Sequence, residues 1–124
     1  MNIVMLIGRT AMEPDIRYTG SGFCTARFTL AVDRDKKKDE EKKADFLNIV
    51  CLGKTAEFIE KYIVKGQKIA VQGKIQTGSY ERSDGTKVYK TDIIAEKIEV
   101  CQWKEKHTED GFIPSDENDN DYPF

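Results

Sequence analysis

Nine consecutive residues, Cys24 to Val32, alternate without a break. Cys24, Ala26, Phe28, Leu30 and Val32 fall on one side, and Thr25, Arg27 and Thr29 on the other. Side chains repeat every second residue in an extended chain and not in a helix, so this segment is a strand with one face buried and one wet. Such a strand needs neighbours on its edges. The sequence offers four more: an apolar run Ile3–Ile7 closed by Gly8, then Phe46–Leu52, Lys68–Arg82 and Val88–Cys101. Leu47, Ile49 and Cys51 oppose Phe46, Asn48, Val50 and Leu52. In the long strand Ile69, Val71 and Ile75 oppose Gln72, Lys74, Gln76, Tyr80 and Arg82. The adjacent pair Ile93-Ile94 leaves the faces of the last strand open. Turn chemistry sits at Glu13-Pro-Asp15, at Thr19–Gly22 and at Ser83-Asp-Gly-Thr86.

One segment changes period. From Thr55 to Lys65, Ala56, Ile59 and Ile63, joined by Phe58 and Tyr62, form a helical stripe. Glu57 and Lys61 stand four apart on its wet side, and Gly66 occupies a C-cap position. Three strands, a helix and two strands predict an all-β fold, a five-stranded OB-type barrel with one helix between strands 3 and 4 plugging an end. A sandwich would need more strands, and a parallel α/β sheet more helices.

Length and charge set the domain plan. A chain of 124 residues supports one core. Residues 1–102 carry 18 Lys and Arg against 15 Asp and Glu, whereas residues 103–124 carry 2 against 7. A mildly basic domain at 1–102 and a disordered, flexible acidic tail at 103–124 are expected, with a mobile charged loop between Asp33 and Asp45. Cys24, Cys51 and Cys101 have no metal-ligand spacing and read as small buried hydrophobes in a reducing compartment. No apolar run has the length of a membrane span, and the first residues lack the features of a signal peptide. A soluble cytoplasmic protein is the expectation.

Two rings stand on wet faces: Phe46 with Asn48, and Tyr80 with Lys74, Gln76 and Arg82, on what the order of elements makes adjacent barrel strands. A flat ring among amides and cations can stack on any base while its neighbours hold phosphates. The bland alternative packs Phe46 under the charged loop and uses Tyr80 to brace the hairpin. Lys36 is the cation of the charged loop nearest the strand, and Arg9, Arg17, Lys54, Lys74 and Arg82 are isolated cations. Catalysis finds little footing. The single histidine, His107, lies in the acidic segment, the Gly53-Lys54-Thr55 turn lacks the upstream glycine of a P-loop, and no metal ligand set or cofactor motif is present. The expected protein is not an enzyme.

The segments Met1–Arg9, Pro14–Tyr18, Phe28–Val32, Asp45–Val50, Gly53–Glu57 and Lys65–Gln67 occur in an order that resembles bacterial and phage single-stranded DNA-binding proteins. The resemblance covers residues 1–102 and the last six. It implies an OB-fold subunit of a homotetramer, cytoplasmic and associated with the nucleoid. Such a protein binds and protects single-stranded DNA without sequence preference in replication, recombination and repair. Phe46 and Tyr80 match stacking aromatics of the family, Tyr89 matches a tyrosine of the last strand, and Lys54 and Lys65 match basic positions. Arg34 joins this expected DNA-binding set with Asn48 and the cations named above. A further aromatic of the family aligns near Lys36, and Gln76 and Gly78 stand where some members carry arginine.

The segment Asp116–Phe124 sets four carboxylates before Tyr122-Pro123-Phe124. An apolar plug behind acids suits a small pocket rimmed by Arg or Lys. The resemblance makes Asp119, Asp121, Tyr122, Pro123 and Phe124 a tip that recruits replication and repair proteins. The alternatives are a primosomal accessory protein of the same fold, which would lack the acidic tip, and an RNA-binding OB module.

Overall fold

The computed structural model describes residues 1–35, 41 and 43–103. The expected tip, His107 and Lys36 therefore lie outside the described residues. The elements are β1 (Val4–Thr10), β2 (Asp15–Tyr18), β3 (Cys24–Asp33), β4 (Ala44–Leu52), α1 (Lys54–Tyr62), β5 (Lys68–Glu81) and β6 (Lys87–Val100). Hydrogen-bonded neighbours run β1-β5-β6-β4-β3, and β3 returns to β1, so five strands close a ring. This is the expected OB-type barrel. β2 is an addition: it pairs only with β3, outside the ring. At four residues with a single half-buried apolar side chain, Ile16, it carries too little pattern to be read from sequence, and only the edge of β3 makes it a strand.

The alternation in β3 decides the core. Cys24, Ala26, Phe28 and Leu30 point inward and meet Ile49 and Cys51 of β4, Ile69 and Val71 of β5, and Ile93 and Ala95 of β6. Ala56 and Ile59 of α1, with Ile63 just beyond it, plug one end. The helix stops at Tyr62, because Ile63 turns to extended backbone and buries itself. Gly66 is consequently not the helix cap; it serves a later turn at φ 84, donating its N–H to Thr10. Tyr18 donates its phenol to Glu60, which ties β2 to α1 and raises the tyrosine's pKa by favouring the protonated form.

Two departures from simple alternation have one cause, the ribbon formed by β5 and β6. A bulge between Gln72 and Gly73, with Glu96 as the extra residue on β6, shifts the phase of the last strand. Ile93 and Ala95 face inward before it, Ile98 and Val100 after it. Beyond the barrel mouth the ribbon projects with both faces wet. Ile75 thus keeps the inward side, opposite Ile93, yet is exposed rather than buried as its phase suggested.

Backbone crowding marks the ring's tightest places. A methyl group on Gly8 would overlap the carbonyl oxygen of Ala31, where β1 meets β3, and one on Gly73 would overlap that of Ile94. Gly8→Ala and Gly73→Ala should each lower stability by about 2 kcal/mol or more in urea titrations, since neither obstacle is a flexible side chain. Gly20→Ala, with nothing within 4 Å, should change stability by less than about 0.5 kcal/mol.

Candidate nucleic-acid interface

Register determines which side chains share a surface. On the outer side of the barrel Thr25 lies beside Leu52, Arg27 beside Val50, Thr29 beside Asn48 and Ala31 beside Phe46, along β3 and β4. Asn48 continues to Asp92, and Val50 to Ile94, across the parallel pairing of β4 with β6. From β6 the same side passes to Lys74, Gln76, Gly78 and Tyr80 of β5. One outer face therefore gathers Phe46, Asn48, Lys74 and Tyr80, four of the residues expected from sequence. Arg17 stands at its far edge on β2, opposite Thr25.

Phe46 is 66% exposed and Tyr80 52% exposed, and among the described residues neither has an aromatic neighbour within stacking contact. Neither ring is covered by the barrel. Their strands are not adjacent as the order of elements suggested, because β6 runs between β4 and β5. β6, the last of the described strands, inserts at the centre of the face. On the same outer face lies an open groove of about 300 Å³ with Asp15, Arg27, Thr29, Asn48, Lys90 and Asp92 in its wall.

The remaining expected residues are distributed elsewhere. Tyr89 pairs with Ser79, whereas Tyr80 pairs with Val88, so the two tyrosines occupy opposite faces of the ribbon. Tyr89 is 75% exposed, with the Lys87 ammonium 5.4 Å from its ring centre. Arg9 hydrogen-bonds Gln102 at 2.8 Å and the carbonyl of Gly66 at 3.2 Å, which commits it to the end of the barrel domain. Lys54 opens α1, Lys65 lies in the turn before β5, and Arg82 begins the hairpin turn, its N–H bound to Thr86. Arg17 reaches Asp15 at 3.3 Å, both well exposed, a contact of little worth.

Arg34 is held differently. Its Nε donates to both oxygens of Asp45 at 3.0 and 3.1 Å, and Nη2 adds a third contact at 2.7 Å. The backbone N–H of Arg34 also binds the carbonyl of Lys43. The pair closes the base of the loop between β3 and β4. Any phosphate arriving there must share the guanidinium with a carboxylate.

Reading the sequence alone missed Leu52, Lys90 and Asp92. Leu52, 45% exposed, follows Phe46 along the outer row of β4 at a spacing of six residues, and its place on that row was visible from the alternation. Lys90 and Asp92 were hidden by the unassigned phase of β6. No group of three or more His, Cys, Asp or Glu that would hold a metal occurs among the described residues. Burial pushes the Cys51 thiol up to about 12, which leaves it protonated and unreactive at neutral pH. Among the described residues no helix is long and apolar enough to cross a membrane.

Comparison with known proteins gives a consistent result. The model of the single-strand binding protein family matches residues 1–101. The single-stranded DNA-binding protein of Clostridium perfringens is 52% identical over 100 residues, covering 80% of this chain and 65% of that protein. Single-stranded DNA-binding protein 3 of Clostridium acetobutylicum is 47% identical over 104 residues, covering 83% and 72%. Among solved structures, the Plasmodium falciparum SSB in complex with ssDNA superposes with a TM-score of 0.73 at 29% identity, over 85% of this chain and 96% of that one. The chain thus spans somewhat less than two thirds of the length of the C. perfringens relative.

The Arg34–Asp45 contact is open to a direct check. The guanidinium hydrogen bonds hold the Asp45 carboxyl below its ordinary value. A carboxyl depressed by folding stabilises the fold above its unfolded pKa of ~3.9, and that contribution is lost as pH falls through the lower folded value. Carboxyl carbon shifts in an NMR titration should place the Asp45 midpoint below ~3.9, and Arg34→Gln should return it to the ordinary range. Equal midpoints in the two proteins would contradict the contact.

Proposed function

Because the chain belongs to the single-strand binding protein family, we propose that it binds and protects single-stranded DNA without an enzymatic step. The observation that carries this reading is the pair of uncovered rings, Phe46 and Tyr80, on one outer face with Asn48 and Lys74. Bases stack on the rings, and the cations hold the backbone. Because every base has a π face, this mode accepts any sequence. Leu52 extends the apolar row along β4, and Arg17, Arg27 and Lys90 add charge at its sides. Lys54, Lys65 and Arg82 extend the positive path beyond the face, and Lys36, outside the described residues, is proposed as a further phosphate contact. Tyr89 takes a base on the other side of the ribbon. Arg9 and Arg34 contribute only as far as Gln102 and Asp45 release them.

The exposed edge of β1 supports a proposed assembly. Val4 to Arg9 pair with β5 along one edge, but the other edge meets β3 only at Arg9 and Thr10, leaving Val4 to Gly8 open. Met5 and Ile7 project from that stretch and, like Ile3 just before it, are exposed. Beside them an apolar groove of about 300 Å³ is walled by Met5, Ile7, Ala70 and Gln72. An open strand edge with an apolar face is a pairing template, and a second copy supplies the match, in a homotetramer. The acidic segment would then present Asp119, Asp121, Tyr122, Pro123 and Phe124 to proteins of replication, recombination and repair in a bacterial or phage-infected cytoplasm.

Two measurements test the proposal. Poly(dT) should bind far more tightly than duplex DNA, with affinity falling steeply with salt as counterions are released; equal affinities, or no dependence on salt, would refute it. Phe46→Ala should weaken poly(dT) binding by about ten-fold or more, the worth of one stacked base. For the assembly, Met5→Glu should shift the mass in solution from a tetramer towards smaller species, and an unchanged mass would rule out the β1 surface.

A further inference from the structure

The groove on the outer face offers more than stacking. Asn48 and Asp92 stand directly opposite each other across the parallel pairing of β4 and β6, both on the outer side. Val50 and Thr29 flank them in the same groove. The Asp92 side chain is only 13% exposed, and among the described residues its partner is Lys90, whose Nζ lies 3.7 Å away. That is the outer limit of an ion pair and well beyond a hydrogen bond. The side-chain amide of Asn48 has no hydrogen-bond partner among the described residues, and the Thr29 hydroxyl meets only the thioether of Met12 at 3.7 Å. A row of polar groups thus faces the groove with its hydrogen-bonding capacity largely unspent.

Arg27 and Lys90 of this groove suit a phosphate, but the Asp92 carboxylate is of the wrong sign for one. An ionised carboxylate accepts hydrogen bonds and donates none, so it repels the backbone and calls for a donor. The edge of a base supplies one. The exocyclic amino group of cytosine or adenine offers two N–H donors next to a ring nitrogen that accepts. Guanine offers a ring N–H beside an amino group. Thymine offers one ring N–H flanked by two carbonyl oxygens, both of which oppose a carboxylate. A carboxylate accepting from the cytosine amino group is an established pairing, and an asparagine amide beside it can donate to the adjacent ring nitrogen.

We infer that Asp92, with Asn48, forms a base-edge subsite that favours bases carrying an exocyclic amino group over thymine. The inference rests on the proposed binding of single-stranded DNA and refines it: the rings accept any base, and this subsite grades them. Asp92 would be a specificity-determining residue, because its removal alters which strand binds rather than whether one binds.

The test uses the full chain with (dC) and (dT) oligonucleotides of equal length at pH 8 and fixed salt. The ratio of their affinities is compared between the unaltered protein and Asp92→Asn, an isosteric change that can turn its amide to suit either base. Differences in the oligonucleotides' own stacking are the same for both proteins and cancel from the comparison. The dC-to-dT affinity ratio should fall by about ten-fold in Asp92→Asn, the worth of one hydrogen bond to a charged acceptor. A ratio unchanged within two-fold, with binding to (dT) intact, overturns the inference and leaves the proposed function standing. Loss of discrimination should also appear in the unaltered protein when the cytosines are replaced by N4,N4-dimethylcytosine. Retained affinity for that strand counts against the subsite. Failure of every strand to bind the unaltered protein would instead refute the proposed function.

Discussion

The fold depends on one close approach. β1 must pair with β5 along most of its length and still reach β3 at its end, and it can do so only where Gly8 lets the Ala31 carbonyl come in. With a side chain there the sheet would stay open, since the ladder between β1 and β3 has only two register pairs, Arg9 with Ala31 and Thr10 with Leu30. Hydrogen bonds from the turn before β5 reinforce the same place. Thr10 exchanges backbone contacts with Gly66 and Gln67, and its hydroxyl accepts from the Gln67 N–H and donates to the Val64 carbonyl. Closing the ring also fixes the orientation of the outer face, because every strand's inward side is then set by a shared core.

Closure explains why the candidate interface is both polar and ordered. The inward residues of β3, β4 and β6 are nearly all buried, so their backbones hold still. Side chains on the opposite side inherit that rigidity without being packed over. Phe46, Asn48 and Asp92 are thus presented on rigid strands, and less ordering is needed when a ligand arrives. The ribbon of β5 and β6 is different in kind. It leaves the barrel with both faces wet, and Tyr80 and Tyr89 point away from each other across it.

Much of this was legible in the sequence, and the failures have specific causes. The strand Cys24–Val32 could be read at once, because only one of its faces is buried. The helix was legible from its change of period, but its end was not. Ile63 leaves the helix for a buried extended position, and a glycine three residues later imitated a cap. Strand β2 had too few apolar residues to register. The last strand could not be phased because the bulge at Glu96 switches its inward side midway, and with it went Lys90 and Asp92. Neighbours across the sheet are invisible to a linear pattern, which is why Phe46 and Tyr80 were set on adjacent strands when β6 divides them. The resemblance to a family supplied expected roles for Tyr89 and Arg34. It could not show that one faces away from Tyr80 and that the other is already engaged by Asp45.

The pairing of β4 with β6 is the only parallel one in the ring and rests on three register pairs, Asn48 to Val50 against Asp92 to Ile94. It is a seam. The two polar residues that look outward from it belong to different halves of the chain, one before the helix and one in the first half of β6. A base held between Asn48 and Asp92 would therefore act as a rivet across that seam, and the ligand would brace the barrel as well as occupy it. In linkage terms, whatever fills this gap binds the closed ring and not an opened one, so a filled gap and a shut barrel favour each other to the same degree.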